Sequence, residues 1–292
     1  MEPPSISVAI CTLGRPDLVR TALDALDECA PEPLEVVVVD GDSERSAESA
    51  VAARRDHRTR YVWSAPGLTR QRNVALRELR GDVVLFLDDD ARPEPDVLGG
   101  LQHAYLDLAI VGVTGRVIEP RSHRLGHQTS RLRRLLFPPK REGTFTSYGY
   151  PRRLTDLDTP RDMEFMPGCF MSARTEVARA VGFDEHLEGY ALAEDEDFSY
   201  RLSRLGRIRY EPDLVVHHDN AGFAGSATRE FARRVVLNRT YLFRKNFQPR
   251  AVSRLRFGMM VVLLGIHRLM NRNVRGALGV VDGVRDVRRG RF

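Results

Sequence analysis

Three aspartates in a row, Asp88, Asp89 and Asp90, follow the apolar run Val83-Val84-Leu85-Phe86-Leu87. Adjacent carboxylates repel, and each resists ionising beside the others, so something positive is expected there. Alternate residues of an extended segment point the same way, so Asp88 and Asp90 can share a face. Hard oxygen donors at that spacing suit Mg2+ or Mn2+, ions that bridge phosphate oxygens. A calcium-binding EF-hand does not fit. Counting from Asp88, position six is Pro93 and position twelve is Gly99, where that loop wants Gly and Glu. Without an ion, the triplet reads as an acidic loop that caps the next helix.

Strands and helices must carry these acids to one place. Ile6 to Ile10 reads as a buried strand, broken by Leu13-Gly14-Arg15-Pro16, and a helical stripe runs from Asp17 to Glu28. Glu35 to Val39 is an unalternated β-branched run, which suits a parallel strand covered on both faces. A helix to about Arg54 follows, then a strand at Arg60 to Trp63, a helix at Thr69 to Leu79 and a strand at Asp82 to Leu87. A helix at Asp96 to Leu108 and a strand at Ile110 to Ile118 complete the alternation. Such alternation implies an α/β doubly wound sheet, whose ligands sit at the carboxyl ends of the strands. The strand ends bring Thr12, then Asp40 and Asp42, then Asp88 to Asp90 toward one edge. No GxGxxG or lysine-bearing phosphate loop accompanies them.

Residues 119–165 read as an irregular basic insertion rich in Pro and Arg, with a short helix near Arg131 to Phe137. Order resumes at FMPGCF. Glu194 to Asp197 then open a helix, where the dipole favours anions. Ile208 to His218 is a last strand, ending in His217 and His218. Cys169 and Met166 read as packing, Trp63 and Phe183 as core or pocket wall, and Arg15 as a turn residue.

The chain has 292 residues, ordinary soluble composition and a formal net charge of +5. The charge is uneven. Arg229 to Phe292 holds 16 Lys and Arg against 3 Asp and Glu, a net of +13, which leaves −8 on residues 1 to 228. An acidic body with a basic end suggests an anionic partner for that end. Three cysteines without metal-like spacing argue for a reducing compartment, and the first residues carry no secretory pattern, so a cytoplasmic location is expected.

Four stretches in order resemble one family. SVAICTLGRPDLVRTALDAL, VVVVDGDSERS, GLTRQRNVALRELRGDVVLFLDDDARPEPDVL and PGCFMSARTEVARAVGFDEHLEGYALAEDEDFSYRLSRLGRIRYEPDLVVHH look like the family 2 inverting glycosyltransferases. The likeness covers most of residues 5 to 218. It implies the GT-A fold, a Rossmann-like and mostly parallel central sheet flanked by helices. It also implies residues 1–225 as catalytic domain, and the charge pattern leaves residues 226–292 as a basic helical extension that could associate with a membrane.

The resemblance implies roles as well. Asp88-Asp89-Asp90 would be the DxD motif: Asp90 and Asp88 on Mn2+ or Mg2+, Asp88 on the ribose, Asp89 on either. His217 would be a third metal ligand, fitting that place better than His218. Thr12, Asp40 and Asp42 would meet the nucleoside, though Asp42 and Ser43 could equally cap a helix. Arg72 and Asn73 would hold the diphosphate, for which a guanidinium is suited. Asp195 would be the general base, with Glu194 and Asp197 supporting it. The expected substrates are a nucleotide-diphosphate sugar and a glycan, lipid-linked or small-molecule acceptor, in cell-wall or polysaccharide synthesis.

Beyond Asn220 the resemblance thins. Ala227 to Asn246 reads as an Arg-rich helix, and Arg254 to Met270 holds FGMMVVLLGI, too short to span a bilayer. A basic helix with an apolar face can lie on the inner face of an anionic membrane. Packing back on the catalytic domain is the alternative, and nucleic-acid binding has no motif behind it. Two other functions share the acidic pattern. A sugar-nucleotide nucleotidyltransferase would need a Gly- and Lys-rich loop where Thr12 to Pro16 stands. A non-catalytic sugar-nucleotide-binding module would not need Asp40, Asp88, Asp90 and Asp195 together.

Overall fold

The computed structural model describes residues 2–54, 56–119, 142–152, 154, 157–187, 191–219, 228–248 and 250–291. The short helix expected near Arg131 lies outside them. The chain divides into two compact units, Met1–Thr144 with Arg152–Asn220, and Phe145–Pro151 with Ala221–Phe292.

The first unit is built on a nine-stranded sheet ordered β3-β2-β1-β4-β8-β6-β9-β5, with β7 also paired to β9. The parallel half holds β1 (Ile6–Thr12), β2 (Glu35–Asp40), β3 (Thr59–Trp63) and β4 (Val83–Asp88). β8 (Phe170–Arg174) runs against both β4 and β6 (Ile110–Ile118). β9 (Arg207–His218) is parallel to β6 and antiparallel to β5 (Ala91–Pro93) and β7 (Arg161–Met163). Helices α1 (Pro16–Asp27), α2 (Glu48–Ala52), α3 (Leu68–Glu78), α4 (Val97–Ala104), α5 (Thr175–Val181) and α6 (Glu194–Leu202) connect the strands.

The unalternated strands are unalternated because both faces are buried. Val8, Ile10, Val38, Leu85 and Leu87 pack with Val19, Leu23 and Leu26 of α1 on one side. Ala9, Val37, Val39, Val84 and Phe86 pack with Ala75 and Leu76 of α3 and Phe198 and Leu202 of α6 on the other. Two filled layers fix the sheet, so the strand ends form a rigid platform.

The second unit comprises α7 (Arg229–Asn246), α8 (Ala251–Met270), α9 (Val274–Arg288) and the turn Phe145–Pro151. The Thr228 hydroxyl caps α7 by accepting from Phe231 N at 3.1 Å, and Asn273 Oδ1 caps α9 by accepting from Gly276 N at 2.8 Å. α7 and α9 meet so closely that a Cβ on Gly279 would lie 2.0 Å from the Arg229 carbonyl. Ala232, Val236, Val261 and Val280 form the small core. The boundary expected at residue 225 had left Phe145–Pro151 inside the insertion. Its Phe145 ring packs on Phe247 at 5.9 Å, and Arg239 lies over the Tyr150 ring at 4.9 Å.

Candidate active site

Register places the chemistry. Thr12 pairs with Asp40, and Cys11 with Asp88, so three parallel strands end together at one edge. The Thr12 hydroxyl donates to Asp89 Oδ2 at 2.6 Å. Arg15 Nε lies 3.1 Å from the same oxygen, and Arg15 Nη1 lies 3.9 Å from Asp90 Oδ2. Arg15, expected only to turn the chain, is therefore one positive partner of the aspartate triplet. Burial pushes the Asp89 carboxyl up to about 6, against the pull of Thr12 and Arg15.

Past the triplet, β5 pairs with the end of β9, setting Ala91 opposite His218 and Arg92 opposite His217. His218 Nε2 lies 3.2 Å from Asp90 Oδ1. The candidate ligand atoms of Asp88, Asp90 and His218 all lie within 4.8 Å of one another. Two carboxylates and an imidazole are a donor set that fits Mn2+ or Mg2+. The expected choice of His217 is corrected: neighbours on a strand point to opposite faces, and His217 Nε2 meets Glu94 Oε1 at 3.1 Å instead.

Helix α3 sends three consecutive side chains in three directions, as 100° steps require. Gln71 Nε2 donates to the Thr12 and Val39 carbonyls at 2.7 and 2.9 Å, stapling the ends of β1 and β2. Asn73 Nδ2 donates to the Phe183 carbonyl at 2.9 Å, and its Oδ1 accepts from Phe183 N at 2.8 Å. Its amide is spent on the chain, not held out for a diphosphate. Arg72 also differs from expectation. It is 2% exposed, and donates to Glu194 Oε1 at 2.7 Å, Asp88 Oδ1 at 3.2 Å and the Gly168 carbonyl at 3.0 Å. Its guanidinium rests on Phe183 and Phe86, 5.3 and 5.9 Å from the ring centroids. A planar fork with five donors is what such a bridge needs.

Through Arg72 the aspartate triplet is joined to the acidic start of α6. Gly168 N donates to Asp195 Oδ2 at 3.2 Å, and Asp195 Oδ1 accepts from Glu196 N at 2.8 Å. A Cβ on Gly168 would sit 3.3 Å from Glu194 Oε1 and 3.6 Å from both Arg72 Nη2 and Asp195 Cβ, so only glycine fits without displacement. Burial, then the charge of Asp195, push the Glu194 carboxyl up to about 8 although Arg72 opposes both. Asp197 is engaged elsewhere, accepting from Arg201 Nε and Nη2 at 2.9 and 2.7 Å and so supporting the helix. The approach to α6 is tense, since Ala191 and Ala193 hold φ of 50° and 72°, a left-handed conformation that alanine disfavours.

The residues expected to meet the nucleoside are split. Asp40 is fully buried, and its carboxylate accepts from Asp42 N at 2.9 Å, Ala47 N at 3.1 Å and the Tyr61 hydroxyl at 3.3 Å. It shapes the loop rather than facing a ligand. Asp42 stands at the rim, where its carbonyl accepts from Trp63 Nε1 at 3.0 Å. Trp63, expected as core or wall, is 45% exposed. Sequence reading missed Gly168, Arg15, Gln71 and the bridging position of Arg72. The PGCF turn was the one signal for Gly168.

Residues 7–182, more than half of the chain, match the family described as Glycosyl transferase family 2. A Bacillus subtilis (strain 168) protein carrying a glycosyltransferase name, EpsH, is 29% identical over 99 residues. That match spans 33% of this chain and 29% of EpsH. Among solved structures, the mannosyltransferase PcManGT from Pyrobaculum calidifontis, in complex with GDP-Man and Mn2+, superposes with a TM-score of 0.60 at 18% identity, over 100% of this chain and 77% of that one. S. aureus TarS in complex with UDP gives 0.56 at 17% identity, over 92% and 73%. Glucosyl-3-phosphoglycerate synthase from Mycobacterium tuberculosis, with Mn2+, UDP and glucosyl-3-phosphoglycerate, gives 0.52 at 18%, over 81% and 80%. At these identities the likeness is one of fold, the GT-A glycosyltransferase fold.

Proposed function

Because this chain belongs to glycosyl transferase family 2, we propose that it is a metal-dependent, inverting glycosyltransferase that moves a sugar from a nucleotide-diphosphate sugar to an acceptor hydroxyl. The observation that carries the reading is the bridge at the sheet edge. Asp88, on the metal-ligand set, and Glu194, next to Asp195, are held by one buried arginine. Donor and acceptor halves of a transfer site would need that fixed separation.

In this reading Asp195 is the general base. Its carboxylate is oriented by Gly168 N and Glu196 N, and it takes the proton of the acceptor hydroxyl. The acceptor oxygen bonds to the anomeric carbon from one side as the bond to the diphosphate breaks on the other, which inverts that carbon. Glu194 is the poorer candidate, since it is buried and bound to Arg72. Asp88, Asp90 and His218 would hold the divalent ion, whose chemistry is to neutralise the departing diphosphate. Half-buried Asp42 and exposed Trp63 stand at the nucleoside end of the edge, and exposed Arg15 at its mouth. Similar proteins bound to GDP-Man with Mn2+, to UDP, and to UDP with Mn2+ point to the same donor class. The acceptor class is a glycan or a lipid-linked or small-molecule glycoside, in polysaccharide or cell-wall synthesis. Three free cysteines fit a reducing, cytoplasmic setting.

Calorimetric titration with UDP, GDP and dTDP, each with Mn2+ and with EDTA, tests this. Binding of one nucleotide that requires Mn2+ supports the reading. A folded protein that binds none of them overturns it.

A further inference from the structure

The C-terminal unit has an apolar face that its own packing leaves uncovered. Helix α8 gives Phe257, Met260, Val261 and Leu264 to the core it shares with α7 and α9, and the Phe257 ring stacks on Phe243 at 4.6 Å. Its other side shows Val252, Leu255, Met259, Val262, Ile266 and Leu269 to solvent, Val262 at 61%. Steps of three and four residues put all six on one stripe, roughly 25 Å long at 1.5 Å per residue. Val274, Leu278 and Val281 of α9 are exposed too. A helix apolar on both sides normally has a neighbour on both sides.

Charge selects the neighbour. From Phe231 to Val281 there is no Asp or Glu, while 11 Lys and Arg occur. Arg254, Arg256, Arg272 and Arg275 are exposed among the apolar stripe residues. A second copy would set this acid-free, cationic surface against itself. A nucleic acid would answer the arginines but leave the aliphatic stripe in water, since it binds through charge and aromatic stacking. An anionic bilayer answers both, taking the stripe into the headgroup boundary and the arginines onto lipid phosphates. No described helix is long and apolar enough to cross a membrane, so the contact lies in the plane of the surface.

We propose that α8 and the start of α9 dock this protein on an anionic lipid surface. The proposal stands apart from the transfer reaction, because binding is read without turnover. The experiment is co-sedimentation of the full chain with phosphatidylcholine vesicles, with and without phosphatidylglycerol. The chain is expected to pellet with the anionic vesicles only, and to be released by raised salt. Leu255→Ser/Val262→Ser/Ile266→Ser should weaken partitioning by about tenfold or more, since it removes three of the stripe's six apolar side chains. Arg254→Gln/Arg256→Gln should weaken it by about fivefold per cation removed. Circular dichroism melts confirm that both variants fold. The proposal is overturned if the chain stays in the supernatant with anionic vesicles, or if the triple variant partitions like the parent. It is also overturned if sedimentation velocity shows a dimer that the triple variant dissolves while no lipid is bound.

Discussion

At the sheet edge Arg72 is 2% exposed and touches two carboxylates and a carbonyl, whereas Arg254 and Arg256 on α8 stand exposed in a stretch with no acid at all. The residue type is the same and its physical work is opposite. A desolvated arginine is tied to its partners, so it fixes distances, and removing it leaves buried polar groups without their partner. An exposed arginine without local acids fixes nothing nearby, but adds to a field that reaches about a Debye length. Position in the acid pattern, not arginine content, separates a site from a surface.

That contrast can be broken at several points. The largest effect is expected from Asp195→Asn, which should lower turnover by about 10²- to 10⁴-fold in a transfer assay while nucleotide binding by calorimetry is kept. Normal turnover would remove Asp195 as base. Next, Arg72→Met should cost about 3–5 kcal/mol in denaturant unfolding, because Glu194 and Asp88 lose their shared partner. By contrast, Arg254→Gln/Arg256→Gln should change stability by less than about 0.5 kcal/mol. Equal losses would erase the distinction drawn here. Smaller again, His218→Ala should weaken Mn2+ binding by about 10- to 100-fold, with His217→Ala close to the parent, as read by metal titration. The reverse order would restore the histidine first expected. Smallest, Ala193→Gly should raise stability by about 1 kcal/mol by relieving a left-handed alanine, and should lower kcat by loosening the start of α6.

The alternation of strand and helix, and the five aspartates brought to one edge, were legible because a buried parallel strand has a composition of its own. The preference for His217 over His218 went against a pattern that the sequence did carry. Ile208, Tyr210, Leu214 and Val216 are all buried, and His218 continues their period of two. The role of Arg72 was not legible, since a buried bridge and a phosphate clamp want the same side chain at the same place, and only depth tells them apart. Arg15 and Gly168 were hidden because their partners lie 74 and 26 or more residues away in sequence, Asp89 for one and Glu194 and Asp195 for the other. The joining of Phe145–Pro151 to the C-terminal helices rests on ring packing with Phe247, and no local pattern announces it.

Arg15 and Arg72 sit among four carboxylates from two separate parts of the chain, Asp88, Asp89 and Asp90 in one and Glu194 in the other. The repulsion that would otherwise drive those segments apart is answered by the polypeptide itself. Assembly of this edge therefore need not wait on a cation: an ion bound there would arrive after folding, as a consumable is fitted to a finished tool. A protein so built would register a swing in available metal as a change in activity before any change in abundance.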